Sequence, residues 1–100
     1  MKILLACAGG MSTGMLVQKM KSYAEKNQLI AEIAAYGLSD LEEYVAGCDL
    51  ILLGPQVSYQ EDEVRQKFPQ IPVAIIDMFD YSMMNGAKVM QEAVTTITMK

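Results

Sequence analysis

Four short apolar runs mark out the chain. The first, third and fourth are apolar throughout, which is typical of strands in a parallel sheet whose two faces are both covered by helices. The second run is interrupted by Glu32, which favours a position at the edge of the sheet. We therefore predict four strands, at residues 3–6, 29–35, 50–53 and 73–76.

The segments between the runs predict helices. Apolar residues recur at helical spacing between the first two runs, which indicates a helix of about three to four turns. Further along, Ser39 or Asp40 can cap a short helix that ends at Gly47. Residues 59–68 carry acidic side chains first and basic ones last, the order that a helix dipole favours, and Asn85 is a candidate cap for a terminal helix.

Strands that alternate with helices through short connections predict an α/β fold with right-handed crossovers. We expect a four-stranded parallel sheet with helices on both faces and, for so small a sheet, the flavodoxin-like strand order 2-1-3-4. In that order the chain reverses direction between the first and third strands, and ligands bind beyond the carboxyl ends of the strands at that point. The loops at residues 7–14, 54–59 and 77–82 therefore form the candidate site.

Composition narrows the class of protein. The 100 residues, 52% hydrophobic and 20% charged, are enough for one globular domain over residues 1–100 with a buried core. A net charge of −4 gives no electrostatic attraction to nucleic acid or to an anionic membrane, so we expect no nucleic-acid partner. The pattern shows neither a signal peptide nor a membrane-spanning run, so we expect no direct membrane insertion.

The absence of histidine excludes several kinds of chemistry. A chain without histidine cannot use a Ser-His or Cys-His pair or a histidine metal ligand, and we expect neither a metal nor a cofactor. Cys7 and Cys48 are wrongly spaced for a Cys-x-x-Cys motif, and they fall at opposite ends of the predicted sheet, too far apart for a disulfide. This use of cysteine indicates a reducing, cytoplasmic compartment.

The loop after the first strand has the properties of a phosphate-binding site. Its glycines let backbone N–H groups approach an anion, and it leads into the positive N-terminus of a helix. It lacks the Gly-Lys-Ser/Thr of a Walker A loop and the spacing of a dinucleotide-binding loop. Cys7 lies at its mouth, where the donors would favour the thiolate, whereas Cys48 is expected only to pack. The candidate phosphate ligands are Ala8, Gly9, Gly10, Met11, Ser12, Thr13 and Gly14.

Two motifs carry a family resemblance. A lysine-led apolar strand runs into Cys-Ala-Gly-Gly-Met-Ser-Thr at residues 7–13, and Leu-Leu-Gly-Pro-Gln-Val-Ser-Tyr follows at residues 52–59. Together they resemble the IIB component of the lactose, cellobiose and diacetylchitobiose branch of the bacterial sugar phosphotransferase system (PTS), over nearly the whole chain. The resemblance implies that Cys7 accepts a phosphoryl group from a histidine of the IIA component. It then passes this group to sugar held in the membrane-embedded IIC component, to which the chain would be peripheral.

Two other functions fit the residues less well. Low-molecular-weight tyrosine phosphatases resemble this fold, but their Cys-x5-Arg pattern requires arginine where this chain has Thr13. Their late acid motif is Asp-Pro, whereas Asp77 and Asp80 here are not followed by proline. A flavodoxin-like FMN site would need a hydroxyl-rich loop and flanking aromatic rings, which residues 7–14 fit poorly. The phosphatase stays the alternative.

The other two loops hold secondary candidates. Gln56 and Tyr59 are expected beside Cys7, where they either contact the phosphoryl group or a partner, or only turn the chain into a helix. Asp77 and Asp80 are expected to be solvated loop residues or helix caps. Flexible methionines at the edge of the site would let one surface accept both IIA and IIC. They are Met11, Met15, Met78, Met83 and Met84.

Overall fold

The computed structural model describes residues 1–7 and 11–99, without the side chains of residues 11 and 12. Four parallel strands form one sheet in the spatial order β2-β1-β3-β4, which confirms the predicted order and the edge position of the second strand. The strands are β1 (Lys2–Cys7), β2 (Glu32–Gly37), β3 (Leu50–Leu53) and β4 (Val73–Ile75).

Helices connect the strands and complete the fold. Two of them continue a short 3₁₀ turn, one over Leu38–Asp40 and one over Pro55–Gln60. Among the helices of residues 1–7 and 11–99, none is long and apolar enough to cross a membrane. The α-helices are α1 (Met11–Lys26), α2 (Leu41–Tyr44), α3 (Glu61–Lys67), α4 (Met78–Ser82) and α5 (Gly86–Thr98).

Side chains on the two faces of the sheet form two separate apolar clusters. On β1, Ile3 and Leu5 pack with α1 and α5, whereas Leu4 and Ala6 pack on the opposite face with α2 and α3. Helices therefore cover both faces, as predicted. Because both faces are covered, consecutive residues of the central strands are buried, which explains why their sequences are apolar without alternation.

The carboxyl ends of the strands lie side by side. Cys7 pairs with Gly37, the last residue of β2, and Ala6 pairs with Leu53, the last residue of β3. Leu53 in turn pairs with Ile75 of β4. The three loops predicted to form the site therefore all leave the sheet at the carboxyl ends of its strands.

β2 begins later than the apolar run that predicted it. The run starts at Leu29, but this residue closes the end of α1, because its amide donates to the carbonyl of Ala24 at 2.8 Å. Glu32 is the first residue that pairs with β1. Leu29 still contributes to the core by packing beside α1, so its apolar side chain belongs to the helix end and not to the strand.

The predicted helix caps have different outcomes. Asn85 caps α5, since its Oδ1 accepts a hydrogen bond from the amide of Lys88 at 3.2 Å. Asp40 occupies the N-cap position of α2, as predicted, but it makes no side-chain capping hydrogen bond, because the 3₁₀ turn runs directly into that helix.

The loop predicted at residues 77–82 is largely helical. Asp77 caps α4, because its Oδ1 accepts hydrogen bonds from the amides of Phe79 at 2.9 Å and Asp80 at 3.2 Å. The helix predicted over residues 59–68 is also shorter than expected, since the 3₁₀ turn occupies its start. Short helices therefore border the site where the sequence predicted open loop.

Candidate functional site

Cys7 ends β1 beside an open cleft. The cleft has a volume of about 470 Å³ and lies between the segment that follows β2 and the segment that ends in α3. Only 7% of Cys7 is exposed. Its Sγ lies 3.7 Å from the carbonyl oxygen of Tyr36, a long and weak contact in which the thiol donates. The sulfur therefore lies where a group entering the cleft can approach it.

The three predicted loops meet beside Cys7. The amide of Gly54 donates to the carbonyl of Ala6, the residue before Cys7, at 3.0 Å. A Cβ atom built on Gly54 would lie 3.9 Å from Cε2 of Tyr81, so the Tyr81 ring packs over this glycine. The Tyr81 hydroxyl then lies 2.9 Å from Oγ1 of Thr13. One tyrosine of the third loop thus contacts both of the others.

Thr13 is the predicted phosphate ligand that the structure describes most fully. It is 2% exposed, and its hydroxyl is paired with that of Tyr81, so that either oxygen can be the donor. If Tyr81 donates, the hydrogen of the Thr13 hydroxyl stays available for an anion in the loop. Sequence reasoning missed Tyr81, because a tyrosine inside a predicted loop gives no sign that its hydroxyl reaches a residue 68 positions away.

The remaining candidates of the first loop differ in what can be said of them. Gly14 lies within α1 and is exposed, and a Cβ placed on it would have none of the described atoms within 4 Å. It is therefore a helical residue and not part of a tight turn. The other predicted ligands lie outside the described residues, either entirely (Ala8, Gly9 and Gly10) or in their side chains (Met11 and Ser12).

Gln56 and Tyr59 take different positions. Tyr59 lines the cleft together with Cys7, is 78% exposed, and accepts a hydrogen bond from Nε2 of Gln60 at 2.9 Å. Gln56 is exposed as well, but its Oε1 lies back over Gly54, 3.1 Å from where a Cβ of that glycine would be. The structure thus brings Tyr59 to the cleft and leaves Gln56 outside its lining.

Asp80 is buried, so the prediction that it is solvated is wrong. Only 2% of it is exposed, because it lies on the inward side of α4, where the sequence predicted a loop. Its Oδ2 has no hydrogen-bond partner among the described residues, and the ammonium of Lys88 lies 3.5 Å away. Asp77 agrees with the prediction, since it is a helix cap.

The methionines near the site divide into two groups. Met15, Met78 and Met83 are 58%, 69% and 64% exposed, whereas Met84 is half-buried and packs against the core. Phe79, which the sequence reasoning did not single out, is also 69% exposed. We call Met78, Phe79 and Met83 the α4 patch, an apolar surface next to the site.

Cys48 lies at the opposite end of the sheet. Its thiol donates to the carbonyl of Leu50, the first residue of β3, at 3.1 Å. Burial raises the pKa of this thiol above its ordinary value, which favours the protonated form. Both Cys7 and Cys48 are free, in agreement with the prediction that they form no disulfide.

Comparison with known proteins gives consistent matches. A family model described as "PTS system, Lactose/Cellobiose specific IIB subunit" matches residues 2–92. The oligo-beta-mannoside-specific EIIB component of Bacillus subtilis (strain 168) is 43% identical over 96 residues, which are 94% of this chain and 93% of that protein. The cellobiose-specific phosphotransferase IIB component protein from Borrelia burgdorferi superposes with a TM-score of 0.83 at 40% identity, covering 100% of this chain and 94% of that one. The lactose-specific EIICB component of Staphylococcus haemolyticus (strain JCSC1435) is 27% identical over 73 residues, 73% of this chain and 12% of that protein.

Proposed function

Because the chain belongs to the lactose/cellobiose-specific IIB family of the PTS, we propose that it is a phosphocarrier whose nucleophile is Cys7. In this proposal residues 1–100 form a single IIB domain. Cys7 accepts a phosphoryl group from a phosphohistidine of IIA and holds it as phosphocysteine. It then delivers the group to a sugar of the lactose and cellobiose class bound in IIC.

The two transfers need little covalent chemistry from the protein. In the first, the Cys7 thiolate attacks phosphorus, a sulfur–phosphorus bond forms, and the bond to the histidine nitrogen breaks. In the second, a sugar hydroxyl attacks the same phosphorus, the sulfur–phosphorus bond breaks with the electron pair staying on sulfur, and the hydroxyl proton passes to solvent. Phosphoryl transfer depends mainly on positioning and on stabilising the charge of the phosphoryl oxygens. A chain without histidine can therefore serve as a carrier when the imidazole comes from its partner.

The observation that carries the proposal is the position of Cys7. It is the last residue of a central strand, at the carboxyl end of the sheet where three loops converge, and a cleft opens beside its sulfur. The helix α1 begins shortly after it, so the positive potential of a helix N-terminus acts on the same region. We propose that residues 8–14 cradle the phosphoryl group and that the Thr13 hydroxyl, already paired with Tyr81, donates to it.

The surroundings of Cys7 favour a carrier over a phosphatase. A phosphatase of this fold needs an arginine clamp at the position of Thr13, where the chain has a buried hydroxyl hydrogen-bonded to Tyr81. It also needs a carboxyl group free to protonate the leaving group. Asp77 is engaged as a helix cap, and Asp80 is buried beside Lys88. A carrier benefits from both features, because hydrolysis would waste the phosphoryl group.

We propose IIA and IIC as the partners, with the α4 patch as part of the surface that both contact. The patch is apolar, exposed and adjacent to the site, and its thioether side chains can adapt to two shapes. The name EIICB of the Staphylococcus haemolyticus relative agrees with a IIB unit that works beside IIC. In this proposal the chain acts in the cytoplasm, docked on a membrane-embedded partner. Gln56 and Tyr59 then contact the partner or the phosphoryl group.

Intact-mass analysis after incubation with phosphorylated IIA tests the proposal. We expect wild type and Cys48→Ser to gain the mass of one phosphoryl group, and Cys7→Ala and Cys7→Ser to gain none. The Cys48 variant is the matched control, because it removes the other thiol of the chain. A wild type that stays unmodified, or a Cys7 variant that is still modified, would refute the assignment. Rapid hydrolysis of an aryl phosphate would instead support the phosphatase.

A further inference from the structure

The helix α4 is too short to set its own orientation. It has five residues, and isolated helices need about 12–15 residues to be even marginally stable in water. Its outward face carries the exposed Met78 and Phe79, whereas Asp80 and Tyr81 face inward and are 2% and 8% exposed. Its direction is therefore set by the contacts of these inward residues with the rest of the protein.

Three residues close a ring between α4 and α5. The amide of Asn85 donates to the Asp80 carbonyl at 2.9 Å, and the Asn85 side chain accepts from the amide of Lys88 at 3.2 Å. The ammonium of Lys88 then lies 3.5 Å from Oδ2 of Asp80. Because the Asp80 carboxyl group is buried and Lys88 is its counter-charge, this pair draws the inward face of α4 against the first turn of α5.

These three residues lie next to Tyr81, the residue that reaches the loop proposed to hold the phosphoryl group. Tyr81 follows Asp80 in the chain, and its hydroxyl is 2.9 Å from that of Thr13 at the start of α1. A small rotation of α4 would separate these oxygens, because a hydrogen bond between hydroxyls weakens beyond about 3 Å. The orientation of α4 therefore decides whether Thr13 keeps its partner.

We propose that Asp80, together with Lys88, is a positioning residue for phosphoryl transfer to Cys7. The pair holds α4 so that the Tyr81 hydroxyl stays on Thr13, and Thr13 in turn presents its hydroxyl to the phosphoryl group. The inference rests on the proposed phosphocarrier function. It adds that a carboxyl group which never touches the phosphoryl group controls the rate of its transfer.

A double-mutant cycle distinguishes this role from a structural one. We expect Asp80→Asn to slow phosphorylation by phosphorylated IIA about threefold to tenfold, the change that loss of one neutral hydrogen bond corresponds to. In a Tyr81→Phe background the same substitution should change the rate less than about twofold, because the contact through which Asp80 acts is already gone. Lys88→Arg, which keeps the charge, should retain the wild-type rate. Glu32→Gln, which breaks an ion pair with Lys2 at the other end of the sheet, is the control.

The outcomes separate the inference from the function on which it rests. Equal slowing by Asp80→Asn in both backgrounds, or no slowing in the wild-type background, would overturn the positioning role.

If no variant accepts a phosphoryl group, the carrier function fails. NMR then still tests whether Asp80 controls the contact between Tyr81 and Thr13. We expect Asp80→Asn to shift the Thr13 amide and methyl signals in the wild-type background but not in the Tyr81→Phe background. Unchanged Thr13 signals in the wild-type background would count against the inference. If Asp80→Asn does not fold, Lys88→Met at the half-exposed end of the pair replaces it in both measurements.

Discussion

The two ends of the sheet hold one cysteine each, and the two thiols differ in what surrounds them. At the carboxyl end Cys7 borders an open cleft, and its thiol donates to the Tyr36 carbonyl over a long 3.7 Å. At the amino end Cys48 donates to the carbonyl of Leu50 at 3.1 Å, and burial raises its pKa. The amino end thus holds its thiol as a protonated donor, whereas the thiol at the carboxyl end lines a cleft.

The difference follows from the direction of parallel strands. Because every strand of the sheet runs the same way, the loops that lead into helices all leave from one end, where the helix N-termini also gather. At the amino end, the segments that follow the helices lead into the strands, and the helix C-termini there carry a negative potential. A negatively charged group such as a phosphoryl group is therefore stabilised beside a cysteine at the carboxyl end. The amino end lacks this positive potential.

Removing the two thiols should give the largest contrast between the ends. We expect Cys7→Ala to abolish sugar phosphorylation in a system reconstituted from IIA, this chain and IIC membranes, because no other nucleophile replaces the thiolate. Cys48→Ser should retain the wild-type rate. Equal loss in both variants would show that the ends do not differ in function.

Gly86, at the start of α5, and Gly47, at the amino end of the sheet, should differ in their effect on stability. A Cβ on Gly86 would lie 2.5 Å from Cβ of Lys19 and 2.7 Å from the backbone nitrogen of Met20, so α5 and α1 would have to separate. We expect Gly86→Ala to lower the free energy of unfolding by about 1–3 kcal/mol in urea denaturation. At the amino end, Gly47 has open space but a φ of 75°, and Gly47→Ala should cost about 1 kcal/mol.

These two glycine variants also differ in their expected effect on transfer. Because α1 begins at the loop that we propose to hold the phosphoryl group, Gly86→Ala should slow phosphorylation of the folded protein, whereas Gly47→Ala should not. A folded Gly86→Ala protein with the wild-type rate would show that the packing of α1 against α5 does not reach the site.

Exposed apolar residues at the two ends provide a third contrast. We expect Phe79→Ser in the α4 patch to weaken IIA binding about fivefold to fiftyfold, while stability changes by less than about 0.5 kcal/mol. Ile30→Ser is the matched control, since Ile30 is 91% exposed near the amino end of β2. Calorimetric titration of both variants with IIA measures the effect, and equal affinities would remove the α4 patch from the proposed interface.

The smallest expected effect is the pH dependence of stability that Cys48 confers. Its folded pKa is raised above the ordinary value near 9, so the unfolded chain loses this proton first as pH rises. The unfolded state then binds fewer protons than the folded state, and stability falls above about pH 9 and is unaffected below it. Urea denaturation should show a steeper fall above about pH 9 in wild type than in Cys48→Ser. Identical slopes would contradict the burial of this thiol.

The sequence by itself determined the sheet, and it also predicts that Cys7 and not Cys48 is the nucleophile. Continuous apolar runs are typical of strands whose two faces are covered by helices, so the pattern predicted the central strands, and the small size of the sheet favoured the strand order. The glycines after Cys7 distinguished it from Cys48, because they mark a backbone that can approach an anion. Both inferences use neighbouring residues, whose spacing the sequence records directly.

The tertiary structure alone decided the environment of the site. Tyr81 and Thr13 are 68 positions apart, and no local pattern indicates that their hydroxyls meet. The burial of Asp80 beside Lys88 likewise depends on how α4 docks against α5. Such contacts are set by the packing of whole helices on a sheet, in which a polar residue of a short segment faces inward or outward according to its partners. The sequence shows which residues are apolar, but which residues its polar side chains contact depends on how the helices pack in the folded protein.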